Sequence, residues 1–174
     1  MTYNIDNQHT TVQFKVRHMM IANVRGVFAK VSGSVTYDEA APAKSSLEVS
    51  IESGSVSTPD ADRNAHLKGA DFFDAEKHPA ITFKSKSVAA SGAGFNVTGD
   101  LSLHGVTKQV TMAVSKPSAE HKDPWGNMRR GLEATFSVSR KDFGLVWNAA
   151  IESGGVLISD QVDMIVDAEL VRKL

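Results

Sequence analysis

The chain has 174 residues, a formal net charge of −1 and no cysteine. That length allows one domain, expected over residues 1–174, to bury a substantial core. The near-zero charge gives no reason to expect nucleic acid or an anionic membrane surface as partner. The missing cysteines exclude disulfides, thiolate metal sites and cysteine nucleophiles.

The chain opens on Met-Thr-Tyr-Asn-Ile-Asp, strand-like from the start, without a basic segment followed by an apolar run. A cytoplasmic protein is the expectation if Met1 is the natural start, and a periplasmic one if a leader has been trimmed. No window reaches membrane-spanning length.

Val12, Phe14 and Val16 then alternate with polar neighbours and predict the first long strand. The alternation breaks at His18–Gly26, where Met19, Met20 and Ile21 are consecutive. A helical turn closing one end of the fold fits this segment. Methionine there either fills a core gap or lines a surface that accepts variable apolar groups. A second run places Val27, Ala29, Val31, Gly33, Val35 and Tyr37 on one face, with Phe28 interrupting the polar side. Leu47, Val49 and Ile51 form the next.

Residues 58–83 are the one stretch that stops reading as strand. Thr58 is the expected helix N-cap, with Pro59 at the first helical position and Asp60 and Asp62 in the first turn. Lys68 and Gly69 supply a stop, with Gly69 suited to a left-handed cap. Phe72 and Phe73 follow in a short turn, placed to plug or roof something apolar. His78-Pro79 then forces extended backbone into Ile81 and Phe83. Further runs follow at Phe95–Leu103, Val110–Val114, Leu132–Val138 and Val162–Leu170.

About eight strands, each with one apolar face, predict an all-β antiparallel barrel or sandwich. Strand length and the small residues Ala29, Gly33, Gly99, Ala134 and Ala168 on the apolar faces favour the barrel. About eight strands enclose either packed side chains or one small ligand. The pattern leaves both readings open. Phe14, Val16, Val31, Leu101, Leu103, Phe136 and Val166 are expected to face one continuous interior, with Met19, Phe72, Phe73 and Phe83 also against it.

Evidence for chemistry is thin. The six histidines form no i, i+4 pair with one another and have no zinc-like spacing, so no metal site is expected. His66 lies four residues after Asp62, which fits an ion pair as well as a ligand pair. There is no Gly-x-Ser-x-Gly elbow and no phosphate-cradling loop. Asn96-Val97-Thr98 matches a glycosylation sequon but lacks a secretory context. Basic residues do gather beside the breaks: Arg17, His18 and Arg25 near the methionines, and Arg63, His66 and Lys68 on or beside the helix. If both segments close the same end, Arg17, His18, Arg63 and His66 form a cationic rim for a polar or anionic head group. Ordinary surface pairing with Asp60, Asp62, Asp71 and Asp74 explains the same residues.

Several motifs occur together in order. They are Asn4–His9 with Val12-x-Phe14-x-Val16-Arg17-His18-Met19; Arg63, His66-Leu67, Asp71-Phe72-Phe73, Pro79 and Thr82-Phe83; Gly99-Asp100-Leu101 with Gly105–Lys108; and Asp123–Gly126, Arg129, Gly131 and Arg140–Gly144. Over residues 3 to 170 this resembles the YceI-like family of lipocalin-like, polyisoprenoid-binding proteins. The resemblance implies a closed barrel with an elongated apolar tunnel for an isoprenoid chain. It also implies a binding protein without catalytic residues, which transports, stores or sequesters its ligand. The expected partner is an isoprenoid or other long-chain amphiphile, quinone-like or a prenyl phosphate, with homodimerisation left open. An enzyme or accessory factor of isoprenoid or quinone lipid metabolism, using polar residues at the barrel mouth, is the alternative. Many relatives carry a secretory leader, which this sequence does not show.

Overall fold

The computed structural model describes residues 1–152 and 154–173. Twelve strands are present: β1 (Thr2–Ile5), β2 (Thr11–His18), β3 (Ala22–Phe28), β4 (Val31–Thr36), β5 (Ser46–Glu52), β6 (Val56–Ser57), β7 (Ala80–Ser91), β8 (Gly94–Leu103), β9 (Val106–Val114), β10 (His121–Lys122), β11 (Met128–Ser139) and β12 (Ile158–Arg172). One α-helix, α1 (Ala61–Lys68), lies between β6 and β7. No helix among the described residues is long and apolar enough to cross a membrane.

The sheet closes on itself. Hydrogen-bonded neighbours run β11–β9–β8–β7–β5–β4–β1–β12, and β12 returns to β11 along residues 161–172 to complete an eight-stranded ring. Every pairing is antiparallel. Closure pairs each of these eight strands on both sides, at least over part of its length. β2 takes over from β1 along the same edge of β12, and β3 and β6 extend that wall. β1 with β2, β3 with β4, and β5 with β6 thus act as bent pairs within one barrel wall.

The bends explain where the alternation fails. Val27 and Ala29 do not share the inward face of Val31. Phe28 is buried instead and Ala29 is exposed. Between β3 and β4, Ala29 and Lys30 bond to Ser55 rather than continuing the ladder, and this two-residue interruption resets the faces. An isolated Phe on the polar side of an alternating run marks this break. The Met19–Ile21 segment is not helical either. It is the tight turn joining β2 to β3, with Ile21 N–H bonded to the His18 carbonyl at 3.1 Å. Met19 and Met20 have φ of 49° and 61°, the handedness that matches strand twist but strains a side chain.

α1 begins two residues later than its composition implies. Asp60 is the N-cap, accepting from the Arg63 N–H, while Thr58 is turned aside and bonds to Asn64. A carboxylate suits the positive helix end better than a hydroxyl committed elsewhere. Gly69 ends the helix as expected but in extended backbone (φ −81°, ψ −179°), not the left-handed cap.

The interior is one main apolar cluster, with a smaller one of Tyr3, Val35, Tyr37 and Leu170 at the end near the termini. That end is stapled by ions. Arg130, largely buried, donates to the Tyr3 hydroxyl, the Ser118 carbonyl and Glu39. Arg172 takes Glu120 with two nitrogens at 2.6 and 2.9 Å, and Arg129 binds Asp6, Asp123 and Glu169. The Arg172 and Tyr3 hydrogen bonds hold Glu120 down at about 2, and Arg129 with His9 holds Asp6 at about 2.

Candidate functional site

Two chambers run along the barrel axis and meet at a waist. Ile51, Ile81, Leu101, Phe136 and Met164 line both. The inner chamber, toward the termini, holds about 140 Å³ and the outer chamber, under α1, about 270 Å³. Together they form one elongated apolar space, because the inward positions of β2, β4, β5, β7, β8, β11 and β12 are almost all aliphatic or aromatic.

The room comes from side-chain size. Ala134 and Ala168 line the inner chamber where larger residues would fill it. Gly99 is buried and lies against Phe83, but Ala29 lies outside the wall and contributes nothing. Gly26 has a different duty: a Cβ there would fall 2.2 Å from the Phe14 ring, so only glycine lets that ring lie across β3.

Of the apolar residues predicted to face the interior, Val31, Phe83 and Val166 line the inner chamber, and Phe14, Val16, Leu103, Phe72 and Phe73 the outer one. Leu101 and Phe136 line both. Met19 does not belong with them. Its positive-φ position in the β2–β3 turn leaves it 40% exposed, outside both chambers.

The outer chamber carries the polar groups. His18, Arg63, His66 and Arg140 line it, and among the described residues no carboxylate does. Arg17 is absent from this set. It alternates outward from His18 on β2 and bonds to Asn23 at 3.5 Å on the exposed face. The four-residue rim is therefore three of its predicted members plus Arg140.

Each member is held differently. Arg63 donates through Nε to the Thr58 hydroxyl at 2.9 Å, which fixes the guanidinium stem while no acid among the described residues pairs with it. His66 bonds to Asp71 at 2.9 Å and is 40% exposed at its side chain, so this end of the cavity reaches solvent. Arg140 is buried at 4% and donates to the carbonyls of Ser159, Leu145 and Trp147 at 2.7–2.9 Å, with Ile158 at 3.4 Å. Its burial lowers its pKa, and Asp160 at 3.9 Å opposes that shift. Those carbonyl bonds hold residues 145–147 and 158–159, at the two ends of the loop before β12, together beside the chamber.

That loop brings in residues that strand alternation does not single out. Trp147 meets His66 at 4.8 Å and Phe72 at 5.4 Å, while His66 meets Phe72 at 4.9 Å. Phe73 instead packs edge-on against Phe28 at 5.4 Å, and Phe28 against Phe14 at 5.7 Å. The one signal in the sequence is the apolar run from Phe143 to Trp147, directly after charged residues at a strand end. Around the same opening lie exposed apolar side chains of Met20, Ile21, Val146 and Val156. The two loops bearing them touch, through Met19 N–H to the Leu157 carbonyl at 2.7 Å.

The sequence profile of the YceI-like domain matches residues 3–170. Protein YceI of Escherichia coli O17:K52:H18 is 39% identical over 173 residues, covering 98% of this chain and 87% of its own. Among solved structures, Burkholderia cenocepacia BcnA superposes with a TM-score of 0.82 at 25% identity, covering 95% of this chain and 98% of that one. A polyisoprenoid binding domain from Saccharophagus degradans, implicated in plant cell wall breakdown, shares the fold with a TM-score of 0.65 at 17% identity, and 97% of each chain is covered.

Proposed function

Because this chain belongs to the YceI-like family, we propose that it holds an isoprenoid or similar long-chain amphiphile inside its barrel, without covalent chemistry. The observation that carries this reading is the two-chamber apolar space with cationic side chains confined to its outer end. An apolar chain buried there gains about 0.8 kcal/mol per methylene-sized group before the entropic cost of ordering it. Arg63, with terminal N–H groups unclaimed by any acid among the described residues, is the head-group anchor; His18 is a second donor. Arg140 is committed to backbone carbonyls and serves by holding the loop. The fold shared with a polyisoprenoid binding domain supports the same ligand class.

Among the described residues the outer lining holds no serine, threonine or lysine for the His66–Asp71 pair to activate, which favours carriage over catalysis. The decisive experiment is mass spectrometry of an organic extract of the purified protein, with a prenyl diphosphate and a neutral prenyl alcohol added back to delipidated protein. Retention of an intact prenyl lipid in equimolar amount supports the proposal. A processed lipid or a substrate–product pair establishes the enzymatic alternative, and failure to retain any prenyl compound removes the lipid reading.

A further inference from the structure

Behind the wall of the outer chamber, three residues with metal-ligating side chains converge from two segments. Asp74 and His78 bracket the turn after Phe73, and His104 occupies the β8–β9 turn. Their ligand atoms all lie within 4.8 Å of one another. The two imidazoles meet edge to face with centroids 4.9 Å apart. Among the described residues, no hydrogen bond joins the Asp74 carboxylate to either ring; its ion-pair partner is the exposed Lys77, at 3.8 Å.

The backbone around all three is fixed. His78 N–H donates to the Asp74 carbonyl at 2.9 Å, and the buried Ser53 hydroxyl donates to the His78 carbonyl at 2.6 Å. His104 sits at φ 54°, an orientation uncommon for a side-chain-bearing residue. Its ring is aimed by Nδ1, 3.0 Å from the Phe143 carbonyl. A carbonyl only accepts, so Nδ1 carries the proton and Nε2 presents its lone pair outward. Metal-bound histidines are oriented by this same arrangement, with the second ring nitrogen donating to a carbonyl or carboxylate.

We propose that Asp74, His78 and His104 bind a divalent transition metal of the zinc class. Two imidazoles and one carboxylate match that class, whereas calcium and magnesium take oxygen ligands. Tetrahedral bonds of about 2.0–2.2 Å put ligand atoms roughly 3.4 Å apart, so the three side chains must draw together by rotamer adjustment, and water completes the fourth position. The other His-and-acid group, Asp6, His9 and Glu169, is no counterpart, because Arg129 already occupies both of its carboxylates. A metal here would tie the segment carrying Phe72 and Phe73 to the β8–β9 hairpin, one residue beyond Leu103 of the chamber wall.

The test is calorimetric titration of chelator-treated full-length protein with Zn²⁺, alongside Ca²⁺, and absorption spectroscopy of the Co²⁺-loaded protein. One equivalent of Zn²⁺ should bind and Ca²⁺ should not, with visible Co²⁺ bands typical of four-coordination. His78→Ala and the isosteric Asp74→Asn should each weaken Zn²⁺ binding by about tenfold or more, and His9→Ala should leave it unchanged. Because His104→Ala also removes the Phe143 contact, the first two variants decide the outcome, each checked for unchanged circular dichroism. Absence of stoichiometric Zn²⁺ binding, or binding that survives in folded His78→Ala and Asp74→Asn, would overturn the site.

Discussion

The imidazole of His66 stands edge-on to the indole of Trp147, with ring centroids 4.8 Å apart, and so joins α1 to the loop organised by Arg140. The two segments are distant in sequence, and this contact narrows the mouth of the outer chamber between them. Trp147→Ala should therefore speed prenyl-lipid loss by about tenfold while lowering stability by only about 2 kcal/mol, since the indole is half-buried rather than fully enclosed. Dissociation rates from fluorescent prenyl probes, compared with urea unfolding, separate the two effects. An unchanged off-rate would show that the ring contact does not gate the chamber.

Phe73→Ala should also weaken lipid retention more than stability, because its ring both lines the chamber and supports Phe28. The expected stability loss is about 2–3 kcal/mol for a half-buried aromatic. Equal binding, after normalising for folded protein, would assign Phe73 to packing alone.

Chamber length makes a separate prediction. Ala134 and Ala168 sit on adjacent strands facing the inner chamber. Ala134→Leu should fill part of that space at little cost in stability, shifting preference toward prenyl chains shorter by about one isoprene unit. About three added methylene-sized groups displace roughly that much ligand. A competition series of prenyl alcohols of increasing length reads this directly. Unchanged binding across all lengths would mean that the ligand does not reach the inner chamber.

Head-group selectivity should rest on Arg63. Arg63→Ala should reduce binding of prenyl phosphates by about tenfold or more, with a smaller loss for neutral prenyl alcohols, as expected for one charge-assisted contact. Arg17→Ala should leave both unchanged, since its side chain lies on the outer face. Paired titrations with a prenyl diphosphate and its alcohol decide the matter; an equal loss for both ligands would remove the anchor role.

Acid should loosen the opposite end first. Asp6 and Glu120 have ordinary values of 3.8 and 4.5 and are both held at about 2 by their arginine partners. Depressed acids contribute stability that is complete above their unfolded values and is lost as pH falls through the folded ones. The urea midpoint should therefore hold from pH 7 to about 5 and fall between about 4.5 and 2. Glu120→Gln should flatten part of that fall, which denaturation series at stepped pH would reveal.

The alternation of Phe14, Val16, Leu101, Leu103, Phe136 and Val166 was enough to read antiparallel strands with one apolar face each. Strand length and small residues on that face favoured a barrel over a sandwich, and the family resemblance implied its closure. Period two permits only one inward set per strand, and the turn chemistry between runs limits the connections. The helix between Ser57 and Gly69 and the aromatics after it were legible for a similar reason, because caps and glycines act locally. Non-local contacts decided the rest. Phe28 points inward because the β3–β4 wall bends against Ser55, and Asp60 caps α1 because Thr58 is claimed by Asn64. Arg17 leaves the rim because it alternates outward from His18 on β2, and Met19 leaves the interior because β2 ends in a strained hairpin turn rather than a helical one. Arg140 enters the rim, and Trp147 the chamber wall, because the carbonyls of Leu145, Trp147 and Ser159 satisfy a buried guanidinium. A sequence states which side chains can line a cavity; which of them do depends on where each strand bends and what each buried polar group finds to bond.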